Sequence, residues 1–265
     1  MDLAFDVAGH GPPVLLLHGL FASSANWRRV ADALAPARRV YSVDLRNHGR
    51  SPSSADMSYC AMADDVLRLI ERESLERPAI VGHSMGGKVA MALALATPWA
   101  VGRLVVIDAA PQRGLEGWTQ DLVQRGAAGA MLPDAGLPAS ALGHWMMPRL
   151  DAGDAYFDWR CRLGLVAPSL HELAGFPALL RCLSTPALLH AIVAGRSDCV
   201  RPPLAAAYQP MFPRTRIHLI EQAGHWVHAD RPGELVARLE ALLPATGRPA
   251  ARPPALRTET LEKAR

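Results

Sequence analysis

A serine lies between two glycines at the junction of two apolar segments, in the pentapeptide Gly82-His83-Ser84-Met85-Gly86. The short apolar run Ala79–Val81 before it predicts a buried strand. The strongly apolar run Met85–Ala96 after it predicts a helix that stops at Thr97-Pro98. A strand that passes directly into a helix through G-x-S-x-G presents the serine hydroxyl on a tight, strained turn. Glycines are required on both sides because side chains there would collide with neighbouring elements.

Apolar strands alternate with helical patterns along most of the chain. The predicted strands are Pro13–Leu17, Arg39–Val43, Ala79–Val81, Leu104–Ile107, Ala187–Ala194 and Arg216–Ile220. The predicted helices are Ser24–Leu34, a helix from about Ser58 to Glu73, Met85–Ala96, and a last helix that begins near Pro232 and is marked by Leu235, Leu239 and Leu242. Because the strands are continuous apolar runs, the pattern indicates an α/β fold with a mostly parallel sheet covered by helices on both faces.

The alternation fails between Pro111 and Pro186, where the sequence is rich in Gly, Pro, Trp and Met and shows helical fragments but no clear strand. Such a segment is too long for a loop within a compact domain. We therefore predict a core of residues 1–110 and 187–243, with a helical cap inserted at residues 111–186. From Pro244 onward the chain is rich in proline and arginine and lacks apolar periodicity, which predicts a disordered tail at residues 244–265.

Charge and cysteine content exclude several classes of protein. The chain carries 28 Lys and Arg against 25 Asp and Glu, and the excess of three lies in the tail, which leaves residues 1–243 neutral. A nucleic-acid-binding domain needs a basic face on its folded part, so no nucleic-acid partner is expected.

No apolar run is long enough to span a bilayer, and the N-terminus carries acids instead of the basic region of a signal peptide. The four cysteines form no C-x-x-C pair, which favours free thiols in a reducing cytoplasm.

A serine nucleophile needs a histidine base and an acid that orients this base. His225 lies after the last predicted strand and is the predicted general base, whereas the nearby His228 is interpreted as a loop residue. Two aspartates follow strands that end near this loop. Asp108 lies 24 residues beyond Ser84, and Asp198 lies in Gly-Arg-Ser-Asp-Cys-Val-Arg-Pro, which fits the pattern G-x-x-D-x-x-x-P. The residues themselves leave the choice between the two aspartates open.

The nucleophile also needs donors for the oxyanion that forms during attack. The backbone N–H of Met85 is one predicted donor. Met85 begins a helix, and the positive end of the helix dipole also stabilises negative charge at this position. The N–H of Leu20, in the first strand–helix turn, is the other, with Phe21 as its alternative. His18 is interpreted as a structural turn residue, and the charged residues of Asp44–Ser51 are interpreted as holding their own loop.

Longer motifs accompany these residues. They are His18-Gly19-Leu20-Phe21, Asp44-Leu45-Arg46-Asn47-His48-Gly49-Arg50-Ser51, Gly82-His83-Ser84-Met85-Gly86-Gly87-Lys88, Ile107-Asp108-Ala109-Ala110-Pro111, Trp159-Arg160 and Gly224-His225-Trp226-Val227-His228-Ala229-Asp230-Arg231-Pro232. In these motifs, residues 1–243 resemble the α/β-hydrolases and, among them, the YbfF-type esterases and the related abhydrolase-domain-containing protein 11 group. The resemblance implies an α/β-hydrolase fold with a helical cap and a serine hydrolase that acts on carboxylic esters.

In that group the acid of the catalytic triad occupies the position that matches Asp108, and a serine occupies the more usual acid position. The resemblance therefore implies that Ser84, His225 and Asp108 are catalytic. It also implies that Ser197 is a supporting hydrogen-bonding residue, with Asp198 as the alternative acid.

The resulting expectation is an esterase that cleaves a small, largely apolar acyl ester through an acyl-enzyme intermediate. The cap is expected to set specificity, and the candidate substrate-binding residues are Phe21, Trp145, Met146, Phe157 and Trp159. No cofactor or metal is expected, because the sequence shows no H-E-x-x-H motif and no Cys/His cluster. The alternatives are a thioesterase, C–C bond hydrolase, acyltransferase or cofactor-free perhydrolase on the same triad, or a hydrolase-like ligand-binding receptor.

Overall fold

The computed structural model of the chain describes residues 1–112, 146–151, 154–159, 161–197, 199–200 and 204–243, with the backbone alone for 146–151 and 154–159. The strands in these ranges are β1 (Phe5–Ala8), β2 (Pro13–Leu17), β3 (Arg39–Val43), β4 (Ala79–His83), β5 (Arg103–Ile107), β6 (Met146–Asp151), β7 (Asp154–Trp159), β8 (Leu189–Ala194) and β9 (Thr215–Ile220). The helices are α1 (Arg28–Leu34), α2 (Tyr59–Arg72), α3 (Met85–Ala96), α4 (Leu163–Val166), α5 (Leu170–Ala174), α6 (Leu204–Tyr208), α7 (Val227–Asp230) and α8 (Pro232–Leu242).

Seven of these strands form one sheet in the order β1-β3-β2-β4-β5-β8-β9. All neighbours are parallel except β1 and β3, which are antiparallel. The four strands β2 to β5 are buried from their second residue to their last. Such continuous burial requires cover on both faces of the sheet.

Alternate residues of each central strand face opposite sides of the sheet. In β2, Leu15 and Leu17 pack in a cluster with residues of α2 and α3. Val14 and Leu16 pack in a second cluster with residues of α1 and α8. Burying one such leucine stabilises the folded state by about 1.5–3 kcal/mol. Burial of apolar side chains on both faces of the sheet therefore stabilises the fold. The predicted mostly parallel sheet with helices on both faces is confirmed.

Two features differ from the sequence analysis. The first is β1, an edge strand whose short, half-exposed sequence gives no apolar run. The second is the antiparallel hairpin β6–β7, in which Met146 pairs with Trp159 and Pro148 with Phe157. This hairpin lies in the segment predicted as a helical cap, where the sequence shows no clear strand. Tyr156, Phe157 and Trp159 favour strands through their aromatic side chains.

The cap also contains α4 and α5, so helices do cover part of the inserted segment. Residues 113–145 of the predicted cap and the whole predicted tail at 244–265 lie outside the described residues. The domain boundaries thus stay predictions. Among the described residues, no helix combines the length and apolar character that crossing a membrane requires.

The turn between β4 and α3 has the geometry that its glycines predict. Ser84 has a φ of 52° and a ψ of −116°, a conformation that strains a residue with a side chain. A Cβ added at Gly82 would overlap the carbonyl group of Gly86, and one added at Gly86 would overlap that of Leu17. The close approach of α3 to the sheet therefore requires glycine at both positions.

The loop Asp44–Ser51 after β3 is held by its own polar side chains. His48 is fully buried, and its Nδ1 donates to the carbonyl oxygen of Arg46 at 2.8 Å. Its Nε2 accepts the backbone N–H of Phe21 at 3.3 Å. Arg46 donates its Nε to the carboxylate of Asp65 at 2.7 Å. The two residues fix the loop, in agreement with the sequence interpretation.

Acid is expected to destabilise the fold through His48. Burial, together with the nearby His18, lowers the pKa of His48 from 6.5 to about 3. As the pH falls below 6.5, the unfolded chain takes up a proton on this residue that the folded chain does not bind until about pH 3. Stability is therefore fully present above pH 6.5 and declines as the pH falls through this window. For His48 alone, the free energy of unfolding should decrease by about 2 kcal/mol between about pH 8 and about pH 5.

Urea unfolding of the wild type and of His48→Gln at both pH values measures this contribution. Glutamine retains a donor and an acceptor but does not titrate, so the pH dependence of the variant should be about 2 kcal/mol smaller. An identical pH dependence in the two proteins would show that His48 does not carry the effect.

Candidate active site

Three strand ends bring Ser84, Asp108 and His225 together. Ser84 lies in the turn after β4, Asp108 follows β5 directly, and His225 lies in the loop between β9 and α7. The Nε2 of His225 lies 3.0 Å from the Oγ of Ser84, and its Nδ1 lies 2.7 Å from the Oδ2 of Asp108. The carboxyl ends of parallel strands meet at one edge of a sheet, where open α/β folds place their ligand sites. This edge therefore holds a serine, a histidine and a carboxylate in one hydrogen-bonded series.

The imidazole of His225 is largely enclosed. Its side chain is 14% exposed, and that of Asp108 is fully buried. The Nε2 of His83 donates to the backbone carbonyl of His225 at 2.8 Å, which fixes the loop. Burial opposes protonation, but the hydrogen bond to Asp108 and the neighbouring Cys199 raise the pKa of His225 to about 9. The surroundings thus stabilise the imidazolium that forms when the ring takes a proton from Ser84.

Asp108 is itself fixed from two directions. The backbone N–H of Ala194 donates to its Oδ1 at 3.2 Å, and the Oγ of Ser197 donates to its Oδ2 in a short hydrogen bond. Asp108 has a φ of 46°, a left-handed conformation that non-glycine residues rarely adopt. The structure brings together the predicted acid Asp108 and the predicted supporting residue Ser197. The alternative acid, Asp198, lies outside the described residues.

Cys199 joins this group, although the sequence analysis expects no Cys/His cluster. Its Sγ lies 3.0 Å from the Nδ1 of His225, so the thiol and the Asp108 carboxylate face the same ring nitrogen. Its backbone N–H donates to the Oγ of Ser197 at 3.2 Å. No local sequence motif reveals this contact, because the cysteine and the histidine are 26 positions apart.

The predicted oxyanion-hole donors lie beside Ser84. Met85 is the first residue of α3, and the first N–H groups of a helix have no acceptor within it. Leu20 lines the cavity that contains Ser84, whereas the N–H of Phe21 is taken up by His48. Of the two candidates in this turn, the structure favours Leu20. The side chain of Phe21 is fully buried in the core and does not line the cavity, contrary to its predicted contact with substrate.

A cavity with mainly apolar walls opens beside Ser84. Within the described part of the chain, it is lined by Leu20, Tyr59, Ser84, Met85, Lys88, Asp108, Ala109, Ala110, Gln112, Leu170, Leu173, Ala174, Cys199, His225 and Trp226. The predicted substrate-binding residues Met146, Phe157 and Trp159 lie on β6 and β7, for which the structure describes the backbone only. Trp145 lies outside the described residues.

Two histidines that the sequence analysis interprets as structural have structural partners. His18 donates its Nδ1 to the carbonyl oxygen of Gly19 at 2.8 Å, and its Nε2 accepts the N–H of Leu45 at 3.0 Å. The ring of His228 packs against those of Trp27 and Trp226. His18 therefore agrees with the sequence interpretation, whereas His228 lies in the helix α7 and not in a loop.

Lys88 and Tyr59, which were not predicted as site residues, bind the end of α5 within the segment predicted as the cap. Lys88 is only 8% exposed, and its Nζ donates to the carbonyl oxygens of Ala174 at 2.7 Å and Gly175 at 2.8 Å. A third carbonyl oxygen, that of Leu173, lies 3.5 Å from Nζ and accepts the hydroxyl of Tyr59 at 2.6 Å. The ammonium therefore caps the end of α5, where carbonyl groups lack helical partners. This contact positions one wall of the cavity.

Replacing Lys88 by Met is expected to loosen that wall. The side chain keeps its length, but buried carbonyl oxygens lose their donor, which should lower the free energy of unfolding by about 1–3 kcal/mol. KM should rise more than kcat falls, because the ammonium binds the end of α5 and does not contact the side chains of Ser84 and His225. Thermal unfolding and steady-state kinetics measure both effects. Lys263→Met, the same change at the other lysine of the chain, should change neither, and an unaltered KM and Tm in Lys88→Met would contradict this role.

Comparison with known proteins identifies the class to which this fold and site belong. Residues 14–239 match the model of the alpha/beta hydrolase family. The chain belongs to the alpha/beta hydrolase family.

Its relatives include esterases and lipases. The sn-1-specific diacylglycerol lipase ABHD11 of Mus musculus is 32% identical over 250 residues, which cover 88% of this chain and 81% of the mouse protein. Esterase YbfF of Escherichia coli strain K12 is 28% identical over 242 residues, which cover 87% of this chain and 92% of the bacterial protein. A solved structure described as a marine microorganism esterase has a TM-score of 0.78 at 27% identity, and the match covers 92% of this chain and all of that one. The similarity to the YbfF and ABHD11 group is thus confirmed, and the chain is an esterase- and lipase-type member of the family.

Proposed function

We propose that this chain is a serine esterase that hydrolyses carboxylic esters of small, largely apolar acids through an acyl-enzyme intermediate. One observation carries the proposal. Ser84, His225 and Asp108 form a continuous hydrogen-bonded series, with distances of 3.0 and 2.7 Å, at the base of an apolar cavity. The relatives named as an esterase and a lipase support the same class of reaction.

In the first half of the reaction, the Nε2 of His225 accepts the hydroxyl proton of Ser84 while Oγ attacks the carbonyl carbon of the ester. Asp108 stabilises the resulting imidazolium through its hydrogen bond to Nδ1. The N–H groups of Met85 and Leu20 stabilise the oxyanion. His225 then gives the proton to the leaving alcohol, and the acyl group stays on Ser84.

In the second half, His225 takes a proton from a water molecule, which attacks the acyl carbonyl and releases the acid. The acyl chain lies against apolar cavity residues such as Leu170 and Leu173. A charged acyl group would lose its hydration against these leucines, which is costly. The cavity therefore supports neutral, largely apolar acyl groups.

A series of p-nitrophenyl esters from acetate to laurate tests this function with the wild type and Ser84→Ala side by side. A burst followed by steady turnover in the wild type alone is expected, and the best chain length measures the acyl site. Because one relative is named as a diacylglycerol lipase, diacylglycerols belong in the panel. Folded wild-type protein that turns over none of these esters would overturn the proposal. A single turnover with a retained adduct would instead indicate a ligand-binding receptor.

We also propose a cytoplasmic location. Cys60, Cys182 and Cys199 carry free thiols, which are typical of a reducing compartment. Fractionation of the native host, with the chain detected by antibody, tests this location, and recovery in an oxidising compartment would contradict it.

A further inference from the structure

Three ligand atoms of different chemistry meet behind the imidazole of His225. The Sγ of Cys199, the Nδ1 of His225 and a carboxylate oxygen of Asp108 all lie within 4.8 Å of one another. The carboxylate is buried, and the other two residues are partly buried. Thiolate, imidazole and carboxylate are the ligands that Zn²⁺ prefers. We propose that Cys199, His225 and Asp108 form an inhibitory Zn²⁺ site.

The geometry requires only a small adjustment. The Nδ1 of His225 lies 3.0 Å from the Sγ of Cys199 and 2.7 Å from the Oδ2 of Asp108. In a tetrahedral zinc site with Zn–S of about 2.3 Å and Zn–N of about 2.0 Å, neighbouring ligand atoms are about 3.3–3.6 Å apart. An increase of about half an ångström in each of these two separations brings them to the tetrahedral values, and the three ligand atoms already lie within 4.8 Å of one another. A water molecule completes the fourth position.

The surroundings suit a metal ligand set. Ser197 donates its hydroxyl to the Oδ2 of Asp108, and the N–H of Ala194 donates to Oδ1. Hydrogen bonds of this kind orient ligating carboxylates in metal sites. Cys199 lies in the cavity lining, so an ion can reach the thiol from the same opening as a substrate.

Binding at Nδ1 would switch off the histidine as a base. The ion takes the place of the Nδ1 proton, the ring changes to the tautomer with its single proton on Nε2, and the thiol proton leaves to solvent. In this neutral tautomer the Nε2 proton points at Ser84, so the ring can no longer accept the hydroxyl proton. The hydrogen bond between His225 and Asp108 is lost at the same time. Zn²⁺ would therefore block proton transfer without filling the acyl cavity.

The inhibitory role depends on the proposed esterase function, but binding does not, so the two are tested separately. Untagged protein is titrated with Co²⁺, which reports thiolate ligation through a charge-transfer absorption band, and with Zn²⁺ by calorimetry. The wild type and Ser84→Ala should both bind one ion, because Ser84 is not a ligand. Cys199→Ala should lose the Co²⁺ band. The matched control is Cys182→Ala, since Cys182 is exposed and outside the cavity lining, and it should retain the band.

Ester hydrolysis then tests inhibition. Zn²⁺ should inhibit the wild type and Cys182→Ala alike, and EDTA should restore the rate. In Cys199→Ala, the inhibition constant should rise by about tenfold or more. Cys199→Ser, which retains a polar group beside Nδ1, provides a second variant if the alanine protein does not fold. The inference is overturned if the Co²⁺ spectrum or the Zn²⁺ inhibition is the same in the wild type and a folded Cys199 variant. Zn²⁺ binding without any esterase activity would leave the site in place and reject the proposed function alone.

Discussion

With Asn in place of Asp108, kcat for ester hydrolysis is expected to fall by about four orders of magnitude, with little change in KM. The carboxylate accepts the Nδ1 proton of His225 at 2.7 Å, which keeps Nε2 free to accept the proton of Ser84. An asparagine amide can donate to Nδ1 instead, and it then stabilises the tautomer with the proton on Nε2. The amide also carries no charge to stabilise the imidazolium. Steady-state kinetics with the best ester of the p-nitrophenyl series measures the loss.

Asp198→Asn is the matched control, because Asp198 is the other aspartate that the sequence allows as the acid. Its kcat should remain within a few-fold of the wild type, since the carboxylate of Asp108 already occupies the Nδ1 side of the ring. A larger loss in Asp198→Asn than in Asp108→Asn would assign the acid role to Asp198. Circular dichroism of both variants separates loss of chemistry from loss of fold.

Replacing Ser84 by Ala should lower kcat by about a million-fold, which is the loss that removal of a serine nucleophile causes in a serine protease. The Oγ of Ser84 is the atom that Nε2 of His225 faces at 3.0 Å, so no covalent intermediate can form without it. The substitution removes one oxygen at a position that the backbone already strains, so the fold should be retained. Stopped-flow measurement of the acylation burst and labelling with a fluorophosphonate probe both report on this residue.

The surface substitution Ser53→Ala serves as the control for this experiment, because Ser53 is exposed and lies outside the cavity lining. It should label and turn over like the wild type. Persistent fluorophosphonate labelling of Ser84→Ala would place the nucleophile at another serine, and peptide mapping of the labelled protein would identify it.

The sequence predicts those parts of the site that local geometry determines. The turn around Ser84 is one such part, since Gly82 and Gly86 are required by contacts within a single strand–turn–helix unit. The position of His225 after the last strand is another, because the carboxyl ends of parallel strands converge. These residues could be found from spacing and apolar pattern alone.

Residues that depend on tertiary contacts could not be found in this way. Cys199 reaches Nδ1 of His225 only because the loops after β8 and β9 meet. In the sequence, Lys88 is a single polar residue within an apolar helix. Its three carbonyl partners lie 85 to 87 positions further along the chain, so no local pattern indicates them. Apolar periodicity does not choose between Asp108 and Asp198 either, because both aspartates follow predicted strands.

Helix α3 connects the turn that holds Ser84 to Lys88, which binds the end of α5. The helix begins beside Ser84, and the N–H of Lys88 donates to the carbonyl of Ser84 at 3.1 Å, one turn away. Four residues of helix correspond to a rise of about 6 Å. The helix therefore determines how far along its axis Lys88 lies from the turn that holds Ser84. The spacing of these two residues along α3 therefore ties the anchored end of α5 to the turn that holds Ser84.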